Sequence, residues 1–175
     1  MARRWPWVLA AAVVVLDRST KHLIETRVAE WEAIPVIDGF FRIIHTRNTG
    51  IAFSLFADQG AGEGAALLTV LTAALTLFVL VLLWGACRRP QEPWTLAAAL
   101  ALISGGAAGN LFDRVRYGSV TDFLDFSIAG WHWPAFNVAD SAISCGALFM
   151  LAGLWRARSP GTRPMIGENG KEERR

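Results

Sequence analysis

Charge is scarce in this chain. Asp, Glu, Lys and Arg make up only 18% of its 175 residues, against 53% hydrophobic residues. A water-soluble domain of that length needs far more polar surface, so the composition argues for lipid as a second solvent. Cysteine is almost absent: Cys87 and Cys145 have no CxxC spacing and no His cluster beside them, which excludes a disulfide framework and a thiolate metal site. The three histidines, His22, His45 and His132, lack metal-ligand spacing. No Gly-rich phosphate loop precedes a basic residue, and no Ser-Lys or Ser-His pair is indicated at one membrane depth. No internal repeat is visible, which speaks against a transporter built from repeats. The net charge of +2 does not suggest nucleic-acid binding.

What the chain does have is four apolar stretches, at about 5–24, 65–84, 94–111 and 136–155. Each approaches the ~20 residues that a helix needs to cross ~30 Å of hydrocarbon. The first resembles a secretory leader, with Arg3 and Arg4 before an apolar run, but Asp17-Arg18-Ser19-Thr20-Lys21 follows where a small-residue cleavage site would lie. A retained helix is therefore expected. Arg3, Arg4, Arg88, Arg89, Arg156 and Arg158 cluster outside the spans in a way that puts both termini and the 85–93 loop in the cytoplasm. Segments 25–64 and 112–135 then fall on the opposite face. Within the first of these, β-branched and aromatic residues from 34 to 56 flank Asn48-Thr49-Gly50, a turn signal, and predict a hairpin or small sheet on the membrane surface. The expected fold class is an all-α polytopic membrane protein: four transmembrane helices with a small extracytoplasmic β-hairpin or sheet. Residues 1–158 form its single domain, and the polar tail 159–175 is expected to be disordered.

Ionisable residues in or beside membrane spans are costly, so each is a candidate for function. Asp17 and Lys21 sit four apart, on one helical face with the acid first. Gly105 and Gly109 form a small-residue face for close helix approach. Asn110, Asp113 and Arg114 follow at i, i+3 and i+4, a spacing that suits a hydrogen-bonded brace. Asp122 lies between apolar residues, with Asp125 three further on, and Asp140 opens the fourth span behind Asn137, a candidate N-cap. Two carboxylates brought from separate elements to one depth cannot both ionise cheaply, and such a pair can share a proton and activate water. On the residues alone, proton relay and simple bracing stay open beside that reading, as do a small proton-coupled exporter using Asp17 and a non-catalytic assembly factor. Asp125 is a rival partner in the pair.

Five ordered blocks then carry a resemblance: Leu16-Asp17-x-x-Thr20-Lys21, Asn48-Thr49-Gly50-x-Ala52-Phe53-Ser54, Gly109-Asn110-x-x-Asp113-Arg114, Gly118-x-Val120-x-Asp122-Phe123 and Phe136-Asn137-x-Ala139-Asp140. Together they resemble the bacterial lipoprotein signal peptidases, the type II family of aspartyl membrane peptidases. The resemblance implies an endopeptidase of the bacterial inner membrane that cuts diacylglyceryl-modified prolipoproteins just before the lipidated cysteine. It implies Asp122 and Asp140 as the catalytic pair. It implies Asp17, Lys21, Asn48, Gly50, Asn110, Asp113, Arg114, Asn137 and Ala139 as residues that position the pair and the substrate. No metal or organic cofactor is expected. The partners expected are the lipidated substrates and membrane lipid, with the chain acting as a monomer. Trp131, Trp133 and Phe136 read as interfacial anchors. Two positions depart from the family pattern: Arg18 stands where Gln is common, and Ile51 where Ala is common.

Overall fold

The computed structural model describes residues 2–50, 61–89 and 91–158. Among the described residues there are four helices: α1 (Trp5–Arg27), α2 (Ala61–Arg88), α3 (Trp94–Tyr117) and α4 (Val138–Arg158). Pro6 falls in the first turn of α1, where a missing N–H costs nothing. Gly118 ends α3 in the left-handed conformation, its N–H returning to the Arg114 carbonyl at 3.0 Å.

Among the described residues, three helical stretches are long and apolar enough to cross a membrane: Gly64–Arg88, Trp94–Tyr117 and Val138–Trp155. Helix α1 has 23 residues, a length of roughly 34 Å. Its charges keep it out of that apolar set, yet Asp17 and Lys21 are both wholly buried inside the protein. The outer faces of the apolar helices stay exposed, with Val70, Leu75, Phe78 and Val81 on α2 and Leu148 and Leu151 on α4, as lipid-facing residues would be.

Helix α3 is the hub and packs against α1, α2 and α4. Its small face is what lets α1 approach. A Cβ on Gly105 would lie 2.6 Å from the Ala10 carbonyl oxygen, and one on Gly109 would lie 2.5 Å from the Asp17 carboxylate. Leu83, Ala86, Cys87, Leu100 and Ala101 form the apolar core at the start of α3. There the backbone N–H of Arg3 reaches the Cys87 carbonyl at 3.0 Å, and its guanidinium reaches the Glu92 carbonyl at 2.9 Å. The amino terminus and the α2–α3 connection thus share one end of the bundle.

At the other end lies an antiparallel sheet of β1 (Ala33–Ile37), β2 (Phe41–Asn48), β3 (Val120–Ile128) and β4 (Trp131–His132), in that spatial order. The expected surface β structure is present, with three differences. The turn between β1 and β2 falls at Asp38-Gly39-Phe40, where Gly39 supplies a positive φ of 71°, and Asn48-Thr49-Gly50 turns at the end of β2, just before residues outside the described ones. The helix bounds also differ: α1 runs on to Arg27, α2 spans Ala61–Arg88 and α3 runs on to Tyr117, while α4 starts at Val138, two residues later than expected, behind the Asn137 cap. Finally, β3 and β4 build half the sheet from a segment read only as an outer loop. Segment 51–56, the remaining part of the expected β region, lies outside the described residues, as do Ile51 and the tail 159–175.

Candidate active site

Helix α4 begins with a reciprocal cap. Asn137 precedes Val138, and its side-chain oxygen accepts the Asp140 N–H at 3.0 Å. The Asp140 carboxylate in turn accepts the Asn137 N–H at 3.2 Å. This is the capping-box arrangement, with Asp140 at the third helical position. Asp140 therefore does cap the helix, through a geometry that the apolar residues before it do not advertise. The capping carboxylate is left with its second oxygen, which accepts from the Asn110 amide at 2.8 Å.

Asp122 comes from β3 and is nearly buried. It accepts the Asn137 amide at 2.7 Å and the Asn48 amide at 3.0 Å. Asn137 thus touches both carboxylates, donating from its side chain to one and from its backbone to the other. Asn48 is itself held by an Asx turn, with the Gly50 N–H donating to its side-chain oxygen at 2.8 Å. Gly50 has a φ of +77°, and a Cβ there would crowd the Leu68 side chain and come within 3.6 Å of the Arg114 guanidinium.

Beneath the pair lies a buried ionic brace. The Lys21 ammonium donates to Asn110 at 2.9 Å and meets Asp17 at 2.9 Å and Asp113 at 2.8 Å. Its three N–H donors therefore have three partners. Asp17 also accepts the Ala139 N–H at 3.0 Å, which ties α1 to the first turn of α4. Ala139 is fully buried, with its carbonyl against Gly106. Asp17 is thereby locked in place, an arrangement that suits a brace better than a site of proton transport. Asp113 receives Arg18 on its other oxygen. The expected trio divides: Asn110 and Asp113 join the brace, while Arg114 turns to the cavity, where its Nη1 is buried and has no hydrogen-bond partner among the described residues.

The cavity has a volume of about 510 Å³ and is lined by Asp122, Asp140, Asn48, Asn110, Arg114 and Trp133, among others. Ser141, Ser144 and Cys145 of α4 also reach it. Trp133 and Phe136 are shared with an adjoining aromatic bowl of about 400 Å³ that includes Phe40, Phe126 and Trp131. So Trp133 and Phe136, read from the sequence as anchors, form walls of the cavity as well.

Asp125 is removed from this site. Three residues along a strand from Asp122, it takes the opposite face and pairs with Arg42 (Nε to Oδ2, 2.7 Å) and His132 (3.1 Å). Burial alone would raise the Asp125 carboxyl, but Arg42 and His132 outweigh it and hold it below its ordinary value. It is not a partner in the pair. Sequence reasoning missed one supporting residue, Thr121, and marked a second, Arg18, only as a departure that adds charge near the site. Thr121 bonds Glu25 at 2.8 Å and offers its N–H to Asp113 at 3.5 Å, and Arg18 contacts Asp113 directly.

Two carboxylates sharing one cavity at the end of a bundle of membrane-length helices fit an aspartic peptidase set in a membrane. The model of the family described as signal peptidase (SPase) II matches residues 9–156. The chain is 43% identical over 156 residues to the lipoprotein signal peptidase of Solibacter usitatus, covering 89% of this chain and 93% of that protein. It is 45% identical over 143 residues to that of Geobacter sulfurreducens, covering 82% and 86%. A solved bacterial membrane enzyme, determined by the in meso method at 2.3 Å resolution, superposes with a TM-score of 0.75 at 26% identity, covering 95% of this chain and 99% of that one. The chain belongs to the signal peptidase II family of aspartic peptidases.

Proposed function

We propose that this protein removes the signal peptide from diacylglyceryl-modified prolipoproteins by hydrolysing the peptide bond just before the lipidated cysteine, with Asp122 and Asp140 as the catalytic pair. The observation that carries this reading is the Asn137 bridge, which ties one carboxylate from β3 and one from α4 into a single cavity. The acyl chains of the substrate remain in the bilayer and deliver the scissile bond to the depth of the pair, turning a bulk encounter into a positioned one.

Burial raises the Asp122 carboxyl to about 6, the nearby charge of Asp140 adds to that, and Asn48 and Asn137 oppose it. The shared proton is accordingly assigned to Asp122. Ionised Asp140 takes a proton from water as the water oxygen attacks the carbonyl carbon. Asp122 donates to the carbonyl oxygen and stabilises the tetrahedral intermediate. Collapse breaks the C–N bond as the proton on Asp140 passes to the leaving cysteine nitrogen and the diol hydroxyl returns a proton to Asp122, which leaves a carboxylic acid product and restores the pair. Lys21, Asp17, Asp113, Asn110 and Ala139 hold the elements that carry the pair. Asn48 and Gly50 fix its outer side, and Arg114 faces the substrate. The protein sits in the bacterial inner membrane, with its termini in the cytoplasm and the site toward the extracytoplasmic face.

The test is cleavage of a diacylglyceryl-modified prolipoprotein by the purified protein, with Asp122→Asn and Asp140→Asn beside it. Cleavage by the parent and by neither variant supports the reaction and the pair. Cleavage by one variant moves the second carboxylate elsewhere. No cleavage by folded parent defeats the reading.

A further inference from the structure

The aromatic bowl beside the catalytic cavity has no part in the mechanism. Side chains alternate along a strand, so Phe126 and Ile128 share a face of β3 with Asp122. That face runs from the pair into the bowl of about 400 Å³, walled by Phe40, Phe126, Ile128, Trp131, Trp133 and Phe136. The walls are pinned by backbone bonds. The Phe40 carbonyl accepts the Ser127 N–H at 2.8 Å, and the Trp133 N–H donates to the Phe126 carbonyl at 2.8 Å. Phe136 exchanges both backbone bonds with Leu124, at 2.8 and 3.1 Å. The Phe126 ring stacks with Phe136 at 5.8 Å, and Trp131 meets Trp133 edge-on at 5.8 Å. Rings that serve only as anchors need face nothing but the bilayer. These enclose a concavity, held in shape before any ligand arrives.

The cavity gives the bowl its place along a substrate. Ser141, Ser144 and Cys145 line the cavity from the spanning part of α4, and Trp133 to Phe136 line it from the sheet. Asp140 lies between them at the start of the helix, and Cys145 is about 7.5 Å further along it. A precursor is held in the bilayer by its signal peptide, with its mature part beyond the sheet. Its chain therefore crosses the pair from the α4 side and leaves past Trp133 and Phe136, the two rings that the cavity shares with the bowl. Phe126 is four residues from Asp122, about 13 Å along β3. Three extended residues and a side chain cover that span. All six walls are apolar and five are aromatic, so the group they favour is an apolar one.

We propose that the bowl is a subsite for the precursor peptide, taking an apolar side chain from one of the first three residues after the lipidated cysteine. This deepens the proposed cleavage and rests on Asp122 and Asp140 as the pair and on the sheet lying outside. Continuity with the cavity through Trp133 and Phe136 selects the peptide as occupant, since the acyl chains stay in the bilayer.

The experiment compares full-length parent, Trp131→Ala and Ile128→Glu in lipid. Both residues are exposed side chains of the bowl. The substrates are synthetic diacylglyceryl prolipopeptides with Ser at the three positions after the cysteine, replaced by Leu or Lys one position at a time, with long or short acyl chains. In the parent, Leu at one position is expected to lower KM about tenfold against Ser, with kcat little changed. Trp131→Ala is expected to bring that ratio close to one, and Ile128→Glu to favour Lys over Leu at the same position. A parent that prefers Leu at none of the three positions overturns the proposal. So do variants that slow every peptide alike, the mark of a membrane anchor. A Trp131→Ala loss that follows acyl length instead of the side chain overturns it too. Crosslinking decides separately, whether or not these variants fold. Uncut precursor with a photoreactive leucine analogue at each position in turn is bound to the Asp122→Asn protein. Adducts on Phe40, Ile128 or Trp131 support the subsite, and adducts confined to other residues overturn it. If the parent cuts no peptide, the catalytic reading fails and the crosslink alone decides the subsite.

Discussion

Asp122 is an acid that folding makes weaker, from an ordinary value of 3.8 to about 6, chiefly by burial. Such a group binds more protons folded than unfolded between those two values. The fold therefore loses stability as pH rises through that window, by roughly 3 kcal/mol in all, and the loss is complete above it. Asp122→Asn cannot ionise and escapes this loss. It is expected to be inactive yet more stable than the parent at pH 7.5, with the difference closing below pH 4. Thermal unfolding in detergent at the two pH values checks this, and equal melting at both would sink it. The same proton governs rate. If Asp122 must donate, kcat/KM of the free enzyme falls as pH rises above about 6, up to tenfold per unit. The limb of kcat lies higher, because bound substrate removes water and strengthens the effect of burial. A kcat/KM that rises steadily from pH 5 to 8 would reverse the assigned roles of the two aspartates.

At the scale of elements, the brace between α1, α3 and α4 is what makes a site from separate pieces. Lys21→Met removes the ammonium and leaves Asp17 and Asp113 buried with one cation fewer. Breaking a buried pair in this way costs about 3–5 kcal/mol. The expected result is a protein that melts well below the parent in detergent and is recovered in part by adding Asp17→Asn, since the second change removes one of the stranded charges. If the double variant is no more stable than Lys21→Met, the ammonium is not balancing Asp17. Half of this brace is legible in the sequence. Asp17 and Lys21 announce themselves by their four-residue spacing, and Gly105 and Gly109 by theirs. Asp113 as the second anchor of Lys21 is not legible, because no periodicity links residues on different helices. The four helices could be read because lipid imposes a length on each apolar run. Strand β3 could not, because Thr121, Asp122 and Asp125 are buried along with Val120 and Phe123, so polarity does not report which face is inside. The two aspartates could be named from the cost of placing them near a membrane, and Asn137 as a cap. That Asn137 bridges them depends on β3 meeting α4, which is tertiary information.

At the scale of the whole molecule, the bundle has two chemically different ends. One gathers Arg3, Arg88, Arg89 and the α2–α3 connection, with Arg3 bonded directly to Cys87 and Glu92 backbone carbonyls. The other carries the sheet, the cavity and a set of exposed apolar side chains, among them Trp31, Val36, Phe40, Trp131 and Trp133. Positive loops are retained in the cytoplasm, and amphipathic aromatics settle at the membrane surface. The charge rule is the one that chooses a side, and we propose from it that the sheet lies outside; the aromatics place the sheet at a membrane surface without choosing which. Labelling with a membrane-impermeant maleimide tests this in a background where Cys87 and Cys145 are replaced by Ser. A cysteine at Asp38, in the β1–β2 turn, is expected to react in right-side-out spheroplasts. A cysteine at Glu92, in the α2–α3 connection, is expected to react only in inverted vesicles. The reverse pattern would put the cavity in the cytoplasm, where an exported precursor with its cleavage site outside could not reach it. That outcome would overturn the orientation and, with it, the route by which the bilayer hands the scissile bond to Asp122 and Asp140.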